Sequence, residues 1–88
     1  MIKVLKIDKE IKNQLVLIHQ LPVEVTKMCE SMGFCDRILE VSSDVFIKVC
    51  ANSGKLWVSS SGNNRLMLMH ARVFEESIKE KSRLPDNV

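Results

Sequence analysis

Residues 37–61 contain three short runs in which apolar and polar side chains alternate, and this pattern limits the fold more than any other feature of the sequence. A period of two places successive side chains on opposite faces of a β-strand, whereas a helix needs apolar residues three or four positions apart. Turn-forming residues at 42–44 and 52–54 separate the runs, and the Asn and Gly among them tolerate positive φ. The pattern predicts a three-stranded antiparallel meander over residues 37–60.

A helix is predicted before the meander, over residues 22–32. Pro22 suits the first turn of a helix, where a missing N–H leaves no hydrogen bond unmade. Gly33 follows the segment and can adopt the left-handed conformation that ends many helices. The apolar residues between them recur at helical spacing and form one stripe: Val25, Met28, Cys29 and Met32.

Two apolar segments precede this helix, at residues 2–7 and 14–19. Four consecutive apolar residues at 15–18 favour a strand that is covered on both faces, so we predict an N-terminal strand pair that could form a hairpin. A helix over residues 8–20, with Asp8 as its N-cap, is the alternative that the sequence leaves open.

The chain after the meander predicts a C-terminal helix that ends near residue 81, with Asn64 as its candidate N-cap. A second interpretation makes residues 66–69 a fourth strand, followed by a helix from about residue 71. The helical interpretation depends on an apolar stripe whose members are three, four, one and four residues apart: Leu66, Met69, Val73, Phe74 and Ile78.

The length and composition are those of one small globular domain. The 88 residues are 45% hydrophobic and 27% charged, which is typical of an ordinary globular protein and not of a disordered one. We expect residues 1–82 to form a single domain and residues 83–88 to be a frayed C-terminal tail.

The sequence predicts a cytoplasmic protein with no membrane partner. No apolar run exceeds four residues, and the N-terminus lacks the apolar segment of a signal peptide. Cys29, Cys35 and Cys50 are odd in number and lack the C-x-x-C spacing, so we expect free thiols in a reducing compartment.

No set of residues in the sequence predicts catalysis. The two histidines and three cysteines lack the spacing of metal-binding motifs, and no phosphate-binding glycine motif occurs. We therefore expect no catalytic residue, no metal and no cofactor. Cys29 lies on the predicted apolar stripe, whereas Cys35 lies beyond it and is the thiol expected to be most exposed; whether Cys35 is reactive stays open.

The distribution of charge is uneven, although the net charge is only +2. Residues 45–74 contain no acidic side chain, and a polar Ser/Asn segment within them precedes the predicted helix. Such a segment can present backbone N–H groups to an anion. It therefore predicts a module that binds nucleic acid or a phosphate anion, with these candidate residues: Lys48, Lys55, Trp57, Ser61, Asn63, Arg65 and Arg72.

Met67 and Leu68 lie outside the predicted stripe of the C-terminal helix, which leaves apolar side chains on a second face. Uncovered apolar surface on a small domain is typical of a protein–protein interface. Our leading hypothesis is therefore a non-catalytic cytoplasmic regulatory or adaptor protein that acts through contacts with itself, as a homodimer, or with another protein. The nucleic-acid or phosphate-anion module is the alternative.

Overall fold

The computed structural model describes residues 2–6, 8–60 and 62–83. They form a small α+β domain, as predicted, and the helix at 22–32 and the meander at 37–60 are both confirmed. No helix in these ranges is long and apolar enough to cross a membrane. The elements follow one another as β1 (Lys3–Leu5), α1 (Lys9–Gln14), β2 (Val16–Gln20), α2 (Val23–Ser31), β3 (Ile38–Ser42), β4 (Val45–Val49), β5 (Lys55–Ser59) and α3 (Asn64–Arg83).

The five strands form one antiparallel sheet in the order β1-β3-β4-β5-β2. Both predicted N-terminal strands are present, but they lie at opposite edges of the sheet, so the predicted pair is not a hairpin. The reason is α1, which separates the two strands and begins where Asp8 accepts a hydrogen bond from the backbone N–H of Glu10 at 2.9 Å. The alternative prediction, a helix over residues 8–20, is therefore correct in its N-cap, Asp8, and wrong in its C-terminal end, because α1 ends at Gln14.

One face of the sheet packs against α2 and α3, and we call it the covered face. It is formed in β4 by Val45, Ile47 and Val49 and in β5 by Leu56 and Val58, all of which belong to the hydrophobic core. Val25 and Cys29 of α2 complete the core from one side, and α3 packs against α2, β2 and β5. The alternation predicted from the sequence therefore becomes the side of the meander that holds the fold together.

The C-terminal helix begins at Asn64, so the interpretation of residues 66–69 as a strand is wrong. Its N-cap is Asn63 and not Asn64, because Asn63 Oδ1 accepts a hydrogen bond from the backbone N–H of Leu66 at 3.1 Å. Helix α3 extends to Arg83, the first residue of the predicted tail, and the remaining tail residues 84–88 lie outside the described ranges.

The face that α3 turns to the core is only in part the one predicted, since Phe74 and Ile78 belong to both. Its fully buried residues are Met67, Ala71, Phe74 and Ile78. Met69 and Val73, which the predicted stripe included, are exposed. The predicted stripe omits Ala71 and Met67, which lie four residues apart and are both part of the core.

Candidate nucleic-acid interface

The second face of the sheet carries part of the predicted anion-binding set. Lys48 of β4 and Trp57 of β5 are directly paired in the strand register, and Lys55 lies two residues before Trp57 on the same strand. Because side chains alternate along a strand, all three point away from the covered face. We call the surface formed by Phe46, Lys48, Lys55 and Trp57 the open face.

Helix α1 crosses the open face on the way from one edge strand to the other. Its Lys12 and the adjacent Leu15 line a cavity of about 140 Å³ together with Lys48 and Trp57. A smaller cavity beside it, of about 40 Å³, is again lined by Lys12 and Lys48, and by Ile38 of β3. Two lysines far apart in sequence therefore converge beside the indole ring.

The charges around this convergence do not cancel. Arg37 and Asp36 line the smaller cavity with the two lysines, and the Asp36 carboxylate also accepts the backbone N–H of Ala51 at 3.3 Å. Glu40 of β3 lies on the open face as the register partner of Phe46, and on its other side it is paired with Lys3 of the edge strand β1. Across the part of the chain that the structure describes, ion pairs are confined to α3 and its contact with β2, so Lys12 and Lys48 have none there.

Two aromatic rings lie next to these cations. Phe46 precedes Lys48 by two residues, and Lys48 is the register partner of Trp57, so the two rings are diagonal neighbours on the open face. Both side chains are half-buried. Each can offer a flat apolar surface to a planar ligand, with the lysine ammonium groups at its border.

The remaining predicted anion-binding residues are elsewhere. Arg65 and Arg72 are exposed on α3, which packs against the covered face, so they do not converge with Lys48 and Lys55. Asn63 uses its side-chain oxygen to cap α3. Ser61 lies outside the described residues. Residues 45–74, which we call the acid-free segment, therefore contribute to two separate surfaces: the open face and the exposed side of α3.

Sequence reasoning missed Lys12, which belongs to this site although it precedes the acid-free segment. Lysines at positions 3, 6, 9 and 12 resemble an ordinary solvated rim, and only the last two lie on α1. The Asp8 cap indicates that a helix starts there, but no local signal shows that this helix crosses the sheet beside Trp57.

Neither of the two predicted interface residues is fully exposed. Met67 is only 2% exposed and forms part of the core, and Leu68 is half-buried. The apolar side chains that α3 does expose are Met69, at 50%, and Val73, at 57%. Any contact through α3 would therefore use Met69 and Val73 instead of Met67.

Two of the three thiols lie near the end of α2: Cys29 within the helix and Cys35 in the segment after it. Burial, with a smaller contribution from nearby Cys35, raises the pKa of Cys29 to about 12. Burial also raises the pKa of Cys35, and the negative charges of Asp36 and Glu30 add to the effect. A nucleophilic cysteine needs a depressed pKa, so both thiols have the electrostatic environment of structural residues.

Comparison of the chain with protein-family models, with curated proteins and with solved structures found no match. Function must therefore be inferred from the side chains of this chain alone. Within the described residues, no three His, Cys, Asp or Glu side chains come together in a way that could hold a metal ion. The open face is the surface on which charged and aromatic groups converge.

Proposed function

We propose that the protein binds single-stranded nucleic acid on the open face of its sheet. Bases stack on Trp57 and Phe46, and Lys12, Lys48 and Lys55 bind the phosphates. The observation that carries this proposal is the convergence of Lys12 and Lys48, from α1 and β4, on the indole of Trp57. The adaptor hypothesis depends on exposure of Met67 and Leu68, but Met67 is buried and Leu68 is half-buried, so we prefer the nucleic-acid alternative.

A single strand suits this surface better than a duplex does. Unstacked bases expose their faces, and each base stacked on an aromatic side chain contributes about 1–3 kcal/mol to binding. A duplex hides those faces, and duplex recognition relies on an element that enters a groove or on a larger basic surface. The open face offers two rings and a few cations, which fits a short, sequence-tolerant contact.

The test uses Trp57 as its own reporter, because it is the only tryptophan in the sequence. Titration with a short oligothymidylate at low salt is expected to quench its fluorescence as a base stacks on the indole. For three phosphate contacts, the logarithm of the association constant should fall with the logarithm of salt concentration with a slope of about −2. An unchanged emission spectrum at low salt, with no binding seen by anisotropy of a labelled oligonucleotide, would overturn the proposal.

A matched pair of variants locates the site. Lys48→Gln and Arg72→Gln each remove one positive charge from the same acid-free segment, but the first lies on the open face and the second on α3. Lys48→Gln should weaken binding and make the salt slope shallower by about 0.7, whereas Arg72→Gln should change neither. Equal losses in the two variants would mean that binding reflects overall charge and not the open face.

Self-association is the second candidate function, and it is favoured by the exposure of Met69 and Val73. They are four residues apart and therefore lie on one side of α3, where Arg72 and Glu76 are also exposed. Packing α3 against α3 of a second copy would bury this apolar pair inside a charged border. Light scattering over a range of protein concentrations tests this self-association. A dimer that Val73→Lys disrupts would support the adaptor function, and a monomer at every concentration would exclude it.

A further inference from the structure

A separate cavity of about 320 Å³ opens beside α3, at the end of the covered face where β1 and β3 lie. Its apolar wall consists of Ile2, Val41, Val73 and Phe74. Helix α3 packs against β2 and β5, toward the other edge of the sheet. The β1–β3 end is thus less completely covered, and Val4 of β1 is 40% exposed there. The cavity is the gap between the helix and this edge.

Polar groups occupy the α3 side of the same cavity. His70, Ser77 and Lys81 recur at spacings of seven and four residues on α3, so they line one side of the helix. The Lys81 ammonium lies 6.0 Å from the centre of the Phe34 ring, a distance at which cation–π attraction helps to hold it. Among the described residues that line the cavity, none is acidic.

We propose that this cavity binds a small amphipathic carboxylate, with its apolar chain against Ile2, Val41 and Phe74 and its carboxylate beside Lys81 and Ser77. Cavities of about 300–1,000 Å³ hold small organic ligands, and a few polar groups in a mostly apolar lining fix the ligand's orientation. One ammonium and one hydroxyl match a single negative charge that accepts hydrogen bonds. The site is on the side of the sheet opposite the open face, so it is independent of nucleic-acid binding.

Three probes separate the contribution of the ligand's alkyl chain from that of its negative charge: octanoate, octanol and acetate. Titrations followed by amide NMR shifts should show octanoate binding, with the largest shifts around Val41 and Ser77. Octanol, which lacks the charge, should bind at least about fivefold more weakly, and acetate should give no saturable shifts. Equal affinities for octanoate and octanol would overturn the assignment of a carboxylate, and the absence of saturable shifts with either would overturn the site.

Two variants test the assigned contacts, and a third variant serves as the control. Lys81→Gln should weaken octanoate binding to the level of octanol while leaving octanol binding unchanged. Ser77→Leu, which fills the cavity with a residue that favours helix, should weaken both. Lys27→Gln removes an exposed charge from α2, outside the cavity, and should change neither. If Lys81→Gln and Lys27→Gln behave alike while both retain the wild-type melting temperature, the assigned role of Lys81 is wrong.

Discussion

The two faces of strands β4 and β5 differ in almost every chemical property, although the same ten residues form both. The covered face presents Val45, Ile47, Leu56 and other aliphatic side chains to α2 and α3. The open face presents aromatic rings and lysines and is crossed only by the six-residue helix α1 among the described elements. The contrast follows directly from the period of two in the sequence.

This arrangement makes the candidate site depend on the core. A shift of one residue in strand register would exchange every side chain of the two faces, which would bury the lysines and expose the aliphatic residues. The packing of the covered face therefore fixes the register that places Lys48 opposite Trp57. None of the four open-face side chains belongs to the hydrophobic core that packs against α2 and α3, so they can serve binding with less effect on that core.

The largest effect is expected from neighbouring residues of β5 that point to opposite faces. Leu56 is fully buried, so Leu56→Ala should lower the free energy of unfolding by about 2–5 kcal/mol. Trp57→Leu should cost about 1 kcal/mol, because the indole is half-buried, and it should abolish the fluorescence response by removing the fluorophore. Urea denaturation followed by circular dichroism measures both variants.

Binding by Trp57→Leu is then measured by anisotropy of a labelled oligonucleotide. A loss of affinity with the stability nearly intact sharpens the division between the faces. If Trp57→Leu destabilises as much as Leu56→Ala, the open face is a second core and the division between a structural and a binding face fails.

A slightly smaller effect is expected at Gly54, in the turn between β4 and β5, where the covered face meets the segment leading into α2. A Cβ added there would lie 2.6 Å from Thr26 Oγ1 and 2.8 Å from the carbonyl oxygen of Leu21, and the residue has φ of +71°. Gly54→Ala should therefore cost about 2–4 kcal/mol, from backbone strain together with overpacking.

Gly33→Ala is the control, since Gly33 has φ of +77° but open space around its Cβ position. Gly33→Ala introduces the backbone strain without the steric clash, so it should lower the free energy of unfolding by about 1–2 kcal/mol in the same urea denaturation measurement. Equal losses in the two variants would show that the close approach to Leu21 is relieved by a small shift of the backbone.

The elements of the fold were predictable where a local pattern decides them. The alternation in residues 37–60, the Pro22 and Gly33 boundaries of α2 and the turn at 52–54 each act over a few residues, and the structure follows them. The positions of β1 and β2 at opposite edges were not predictable, because strand pairing is decided by tertiary packing. The same holds for the path of α1 across the open face.

The candidate site was predictable in part for the same reason. Lys48, Lys55 and Trp57 share a face by alternation, which the sequence contains. Arg72 is close to them in sequence but not in space, whereas Lys12 is close to them only in three dimensions. The predicted stripe of α3 includes Met69 and Val73 and omits Ala71, so it misses part of the buried face.

A smaller effect tests whether the N-terminus of α3 contributes to anion binding or only to the fold. Asn63 caps the helix, and replacing such a residue by alanine costs about 1 kcal/mol. Asn63→Ala should therefore lower the urea midpoint while leaving oligonucleotide affinity unchanged. Asn64→Ala, one residue later and also exposed, is the matched control and should have little effect on either. A loss of affinity in Asn63→Ala beyond its loss of stability would extend the binding surface from the open face to α3.

The smallest effect concerns Glu75 of α3, which pairs with His19 of β2 and with Lys79 of α3 at the covered face. Burial by itself raises the pKa of Glu75, but hydrogen bonds from His19 Nε2 at 2.9 Å and Lys79 Nζ at 3.0 Å outweigh it, and the net pKa is lowered. A lowered pKa in the folded state gives stability that is present above the ordinary value of 4.5 and is lost as the pH falls through the folded value. Because solvent screens the pair, Glu75→Gln should cost less than about 1 kcal/mol at neutral pH.

That cost should disappear when the urea midpoints are compared well below pH 4.5, where the wild-type carboxylate is protonated as well. Glu76→Gln is the control, since its carboxylate is 69% exposed and lies 3.5 Å from the same lysine. A pH dependence equal in the two variants would assign the effect to Lys79 alone. In that case the contact between His19 and Glu75 would not help to hold the edge strand β2 to α3, and the covered face would be stabilised by its aliphatic packing without support from charge.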